Sequence, residues 1–127
     1  MTFRNPTTIH SPLASYSHQA EVSGKSKWLV ISAQIGMDHN GFVPDDVLSQ
    51  TELALDNILR NLEAANMDYQ NLVKLNFYFV GSHDIAQRRT LVSKRLGEHQ
   101  PCMTTLYVAG LATPALKVEI EAWACSE

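Results

Sequence analysis

Cysteine is scarce in this chain: Cys102 and Cys125 are the only two among 127 residues. Two thiols cannot build the disulfide framework of a small secreted scaffold, and no CxxC pair is present. The economical reading is a cytoplasmic protein with both thiols reduced. Long apolar runs are missing as well. No stretch approaches bilayer-spanning length, and the segment MTFRNPTTIHSPLASYSH lacks the apolar centre of a secretory signal. No membrane partner is expected. An excess of positive charge is also absent: 10 Lys and Arg stand against 13 Asp and Glu, for a net charge of −3, and the basic residues are dispersed. A nucleic-acid partner is therefore not expected. The five histidines, His10, His18, His39, His83 and His99, never fall three or four residues apart, so no local metal motif exists. A metal would need distant residues to converge, and none is expected. No GxGxxG or phosphate-loop pattern occurs, so no nucleotide cofactor is implied. Ser32 lacks a GxSxG elbow, and Cys102 follows Pro101 with no activating base identified.

What remains is the composition of a globular protein, 45% hydrophobic and 18% charged. The length is that of one ordinary domain, and no repeat, low-complexity segment or Pro/Gly/Ser linker divides residues 1–127. Residues 15–22 (SYSHQAEV) read as a first strand ended by Ser23-Gly24-Lys25. Residues 28–35 (WLVISAQI) read as a well-buried strand, followed by the turn signal Asp38-His39-Asn40-Gly41. Pro44, Asp45 and Asp46 suit the entry to a helix over about 47–65. Leu48, Leu55, Ile58, Leu59, Leu62 and Ala65 form its apolar stripe, Thr51, Glu52, Asp56, Arg60 and Glu63 mostly take the other face, and Asn66 is a left-handed cap. Residues 72–80 (LVKLNFYFV) alternate as a half-covered strand. Ser82 is placed to cap a second helix over about 83–96, with Ile85, Val92 and Leu96 inward and Gly97 ending it. Residues 103–109 and 117–124 are the last two strands. The order β-β-α-β-α-β-β predicts an α+β fold, one sheet with both helices on one face. Tyr78, Tyr107 and Trp123 are expected on the other face, and an exposed aromatic face on so small a domain points to subunit contact, the alternative being a monomer whose aromatics are locally covered.

The C-terminal strand carries the strongest chemical signal. In Val118-Glu119-Ile120-Glu121-Ala122-Trp123-Ala124, alternation sets Glu119, Glu121 and Trp123 on one face. Two carboxylates at i and i+2 have two readings. With water excluded, repulsion and desolvation raise at least one pKa and make a general acid or base. Otherwise they line a solvated or salt-bridged sheet face, with Lys74 as a partner. Tyr16, just before a strand, is a hydroxyl donor or a surface residue. Arg88 and Arg89 read as a solvated helix face.

The run WLVISAQIGMDHNGFVPDD, the following Gln50-Thr51 and Leu55-Asp56-Asn57-Ile58-Leu59, the segment AANMDYQNLVKLNFYFV and the ending KVEIEAWA, in this order and spacing, resemble the RidA/YjgF family. That family is also labelled L-PSP endoribonuclease-like. The resemblance spans Tyr16 to Ala124. It implies a chorismate-mutase-like α+β fold with two helices on one face of a mixed sheet. It further implies a homotrimeric barrel with small-molecule clefts between subunits, and hydrolysis of reactive imines and enamines without a bound cofactor. Carried over by position, it makes Glu119 the water-activating carboxylate and Tyr16 the pocket tyrosine, with main-chain contacts at Ser32-Ala33 and Thr105. The family has glycine where Ala33 stands. Its Pro-x-Arg-[Ser/Thr] pattern here reads Pro101-Cys102-Met103-Thr104, so Met103 replaces the arginine that clamps a substrate carboxylate. Methionine offers neither charge nor N–H donor. Arg89 falls beside the pocket where deaminating members carry asparagine. It is either a replacement anchor or a solvated helix residue. Three functions follow: a hydrolase of an imine or related metabolite that acts weakly on α-imino acids, a non-catalytic ligand-binding or protein-interaction module, and a true 2-imino acid deaminase anchored by Arg89.

Overall fold

The computed structural model describes residues 1–12 and 14–127. Among them the elements run β1 (Thr2–Arg4), β2 (Gln19–Glu21), β3 (Lys27–Ile35), α1 (Val47–Ala64), β4 (Leu72–Phe79), α2 (Ile85–Leu96), β5 (Cys102–Tyr107) and β6 (Val118–Ser126), with a 3-10 turn at Tyr69–Asn71. A four-stranded mixed sheet has the order β3-β6-β4-β5. Strand β6 is antiparallel to both neighbours, and β5 is parallel to β4. A parallel pair needs a crossover, and α2 supplies it. None of the described helices is long and apolar enough to cross a membrane.

Alternation in the two central strands builds the core. Val118, Ile120, Ala122 and Ala124 of β6, with Leu75, Phe77 and Phe79 of β4, are buried against the helices. Helix α1 covers them with Ala54, Leu55, Ile58 and Leu62. Asp46 caps it by accepting from the Ser49 amide at 2.8 Å, and Asn66, at φ 59°, turns the chain away beyond its end. Arg95 of α2 ties the helices together through Glu52 (3.1 Å) and Asp56 (3.2 Å) of α1.

The structure departs from the sequence reading in several places. The expected strand 15–22 shortens to β2, which pairs with β1 in a separate two-stranded sheet. Strand β3 is an edge, not a buried strand: Trp28 and Val30 are 50% and 66% exposed. Asp84, not Ser82, caps α2 by accepting from the Gln87 amide. The later start leaves Ile85 exposed, while Val92 and Leu96 face in. Thr51 is fully buried, with its hydroxyl bonded to the Val47 carbonyl of its own helix. Finally, Tyr107 pairs in register with Phe79 and points to the helix side, whereas Tyr78 belongs to the opposite, open face.

The first turn of α1 is locked to the chain entering β6. Fully buried Gln50 donates to the Pro44 (2.8 Å) and Ala115 (2.9 Å) carbonyls and accepts from the Lys117 amide (2.8 Å). Gly36 packs directly against it. A Cβ at position 36 would sit 2.4 Å from Gln50 Cα and 2.5 Å from its carbonyl oxygen, and backbone cannot yield cheaply. Gly36→Ala is expected to destabilise the protein by about 2 kcal/mol or more. A lower denaturant midpoint at unchanged slope is the readout.

Candidate functional site

A cleft of about 360 Å³ opens at the β5 edge, on the helix side of the sheet. Its floor is Phe77, Met103 and Thr105, and its far wall is Arg88, Arg89, Val92 and Ser93 of α2. Tyr16 closes the near side. The N-terminal segment is held there by Ser17, whose hydroxyl donates to the Gln100 carbonyl (2.5 Å) and whose amide donates to the Pro101 carbonyl (3.2 Å). Tyr16 in turn meets His18 edge-on at 5.4 Å. Met103 and Thr105 share this face because they lie opposite Leu75 and Phe77 in the parallel ladder.

The other candidates lie on the opposite face. Glu119 pairs with Ile35 on one side and with Tyr78 on the other. Ser32 and Ala33 fall in the break of the β3–β6 register between Ile31 and Gln34, across from Glu121. That irregularity takes their main chain out of the ladder, and the Ser32 carbonyl accepts from the Gln34 side chain at 2.9 Å. The chain thus brings together Tyr16, Arg89, Met103 and Thr105, and keeps Glu119, Ser32 and Ala33 apart from them. Three strand spacings of about 4.8 Å, roughly 14 Å, separate β3 from β5.

Glu121 of the acidic pair on β6 is not raised, as like-charge repulsion alone would have it. Glu121 accepts from the Tyr78 hydroxyl (2.5 Å) and the Asn76 amide (2.8 Å). These donors hold its carboxyl below the usual range, and the same contact pushes the Tyr78 phenol up. Lys74 bonds to the Thr104 hydroxyl at 2.7 Å, not to a glutamate. Burial pushes the Cys102 thiol up, which opposes a thiolate.

Arg88, solvated on the sequence pattern alone, is not so in the structure. It is half-buried, with its guanidinium over the Phe79 ring at 5.2 Å. One nitrogen, Nη1, is 2.9 Å from His83 Nε2 and 3.1 Å from the Tyr107 hydroxyl. A guanidinium only donates, so Nε2 accepts and the His83 imidazole is neutral. Burial, then the Arg88 charge, lower the His83 pKa. The sequence signals for this group were present: Tyr107 follows Met103 and Thr105 at alternate positions, and His83 precedes Arg88 at the start of α2.

Residues 8–126 match the family described as Endoribonuclease L-PSP. A RutC family protein of Pyrococcus horikoshii is 32% identical over 118 residues, 91% of this chain and 90% of its own. The 2-iminobutanoate/2-iminopropanoate deaminase of Mus musculus is 28% identical over 118 residues, 91% of this chain and 84% of its own. A crystal structure of a Rid-family protein from Yersinia pestis superposes with a TM-score of 0.82 at 28% identity, over 98% of both chains. The chain belongs to the Endoribonuclease L-PSP family, the RidA/YjgF family of the sequence resemblance, and it has that family's α+β fold.

The lowered His83 pKa has a stability consequence. The unfolded imidazole takes up its proton near its ordinary value of about 6.5, whereas the folded one resists until lower pH. Its contribution is therefore fully present above about pH 6.5 and is lost as pH falls through the lowered folded value. The lowered Asp46 and Glu121 carboxyls act in a separate window, below their ordinary 3.8 and 4.5. Urea midpoints are expected to fall from pH 7.5 to 5.5, and His83→Gln should flatten that fall.

Proposed function

We propose that this chain forms a cytoplasmic homotrimer whose small-molecule pockets lie between subunits. In each pocket it hydrolyses an imine, enamine or related metabolite, with weak action on α-imino acids. The observation that carries the reading is Met103 on the floor of the cleft, at the place of the family's substrate-clamping arginine. Support for a shared pocket comes from the split of candidates across the sheet. A second copy, offering its open face at the β5 edge, would bring a Glu119 to a cleft that lacks one. The exposed Trp28, Val30 and Leu106 give that open face apolar surface to bury. The mouse relative's name supplies the reaction class.

In the reaction, water adds its oxygen to the imine carbon while Glu119 accepts the water's proton. Glu119 passes that proton to the nitrogen, the hydroxyl of the resulting carbinolamine gives up its own proton as the C–N bond breaks with its electron pair on nitrogen, and ammonia leaves a carbonyl product. Tyr16 and the main chain at Ser32, Ala33 and Thr105 orient the substrate. No cofactor enters this chemistry. A second reading, a true 2-imino acid deaminase anchored by Arg89, is favoured by the presence of Arg89 on the cleft wall.

An imine-generating dehydratase coupled to this protein tests both readings. Little acceleration of keto-acid release is expected from the natural chain, and Met103→Arg should raise it roughly tenfold or more, the scale of a charge-assisted hydrogen bond. Strong acceleration by the natural chain, lost in Arg89→Ala, would establish the second reading instead. No gain from Met103→Arg would favour a non-catalytic ligand-binding module.

A further inference from the structure

We propose that Arg88, held by His83 and Tyr107, is the anchor for the carboxylate of a small ligand with an apolar tail. The anchor lies at the Tyr107 end of the cleft and not at Met103. This rests on the reading of the cleft as a small-molecule pocket.

Arg88 carries a charge without a counter-charge among the described residues. Arg4 pairs with Glu21, and Arg95 pairs with Glu52 and Asp56. Half-buried Arg88 forms no ion pair among the described residues, yet it lines a cleft. A partly desolvated cation is stabilised by an anion that enters beside it.

Its guanidinium is also fixed in orientation. Both hydrogens of Nη1 are directed to His83 Nε2 and the Tyr107 hydroxyl, and the guanidinium lies over Phe79. Neither acceptor is charged. Among the described residues no acceptor meets the Nε and Nη2 hydrogens. Those two hydrogens form the edge that grips a carboxylate with two parallel bonds. Arg89 differs: it is exposed and has no side-chain hydrogen bond among the described residues. Ordering it on a ligand would cost side-chain entropy that Arg88 has already lost on folding.

The cleft changes from charged to apolar along β5. Tyr107 lies four residues beyond Met103, about 13 Å at ~3.3 Å per residue. Helix α2 crosses back over the sheet, so Arg88 meets Phe79 and Tyr107 at one end. Met103, Val92 and Phe77 supply apolar wall further along. An acid held at Arg88 would lay its hydrocarbon chain toward Met103. The methionine then serves as part of the wall for that chain.

Calorimetric titration of the full chain with hexanoate and with hexanamide tests this assignment. The natural protein should prefer hexanoate roughly tenfold or more. Arg88→Gln should abolish that preference through weaker hexanoate binding while hexanamide binding persists. Arg88→Lys should keep part of it, Tyr107→Phe should reduce it severalfold, and Arg89→Gln should matter less than Arg88→Gln. If Arg88→Gln fails to fold, as judged by its melting curve, Arg88→Lys and Tyr107→Phe carry the decision. An intact preference in folded Arg88 variants, or its loss in Arg89→Gln alone, overturns the assignment. Equal binding of both probes by the natural protein overturns it and leaves the pocket reading standing. Binding of neither removes the pocket reading with it.

Discussion

The period of two along β6 is the constraint from which the rest of the molecule follows. Val118, Ile120, Ala122 and Ala124 are all fully buried against the helices, and the intervening Glu119, Glu121 and Trp123 must emerge on the other side. Two neighbours in register, β3 and β4, fix that strand, so its faces cannot exchange without moving an entire core. The functional geometry inherits this division. Met103 and Thr105 share the core-facing side of β5, while Glu119 stands two strands away on the open side.

Two sets of polar contacts fasten the rest of the chain around that sheet. Gln50 joins the start of α1 to the chain on either side of it, and Ser17 fastens the N-terminal segment beside Gln100 and Pro101. The second attachment puts Tyr16 over the cleft, although β1 and β2 form a sheet of their own. Beside the cleft wall at Arg88, the side chains of His83, Arg88, Tyr107 and Phe79 form a cluster joined by ring contacts and hydrogen bonds.

Much of the fold was legible because it depends on local periodicity. The alternation of Val118–Ala124 and the stripe Leu55, Ile58, Leu62 were read correctly, as was Asn66 as a left-handed residue. What escaped depended on tertiary partners. Thr51 looks like a surface residue until its hydroxyl is seen bonded to the Val47 carbonyl. Trp28 and Val30 look like core residues until β3 is seen to be an edge. Arg88 looks solvated because its partners, His83 and Tyr107, are brought to it by a turn and by a different strand. Of the site, sequence pointed to Tyr16, Met103, Thr105 and Arg89, which meet in one cleft. It gave no sign that Glu119 faces away from them, because that relation is set by how β5 and β6 each pair with β4.

A cleft on one face and a carboxylate on the other make sense as one site only when copies of the chain assemble. Sedimentation equilibrium of the purified full-length protein at micromolar concentration measures this directly. The account predicts a single species of three times the chain mass. A monomer at the same concentration would contradict it, because Glu119 and Met103 would then have no way to meet.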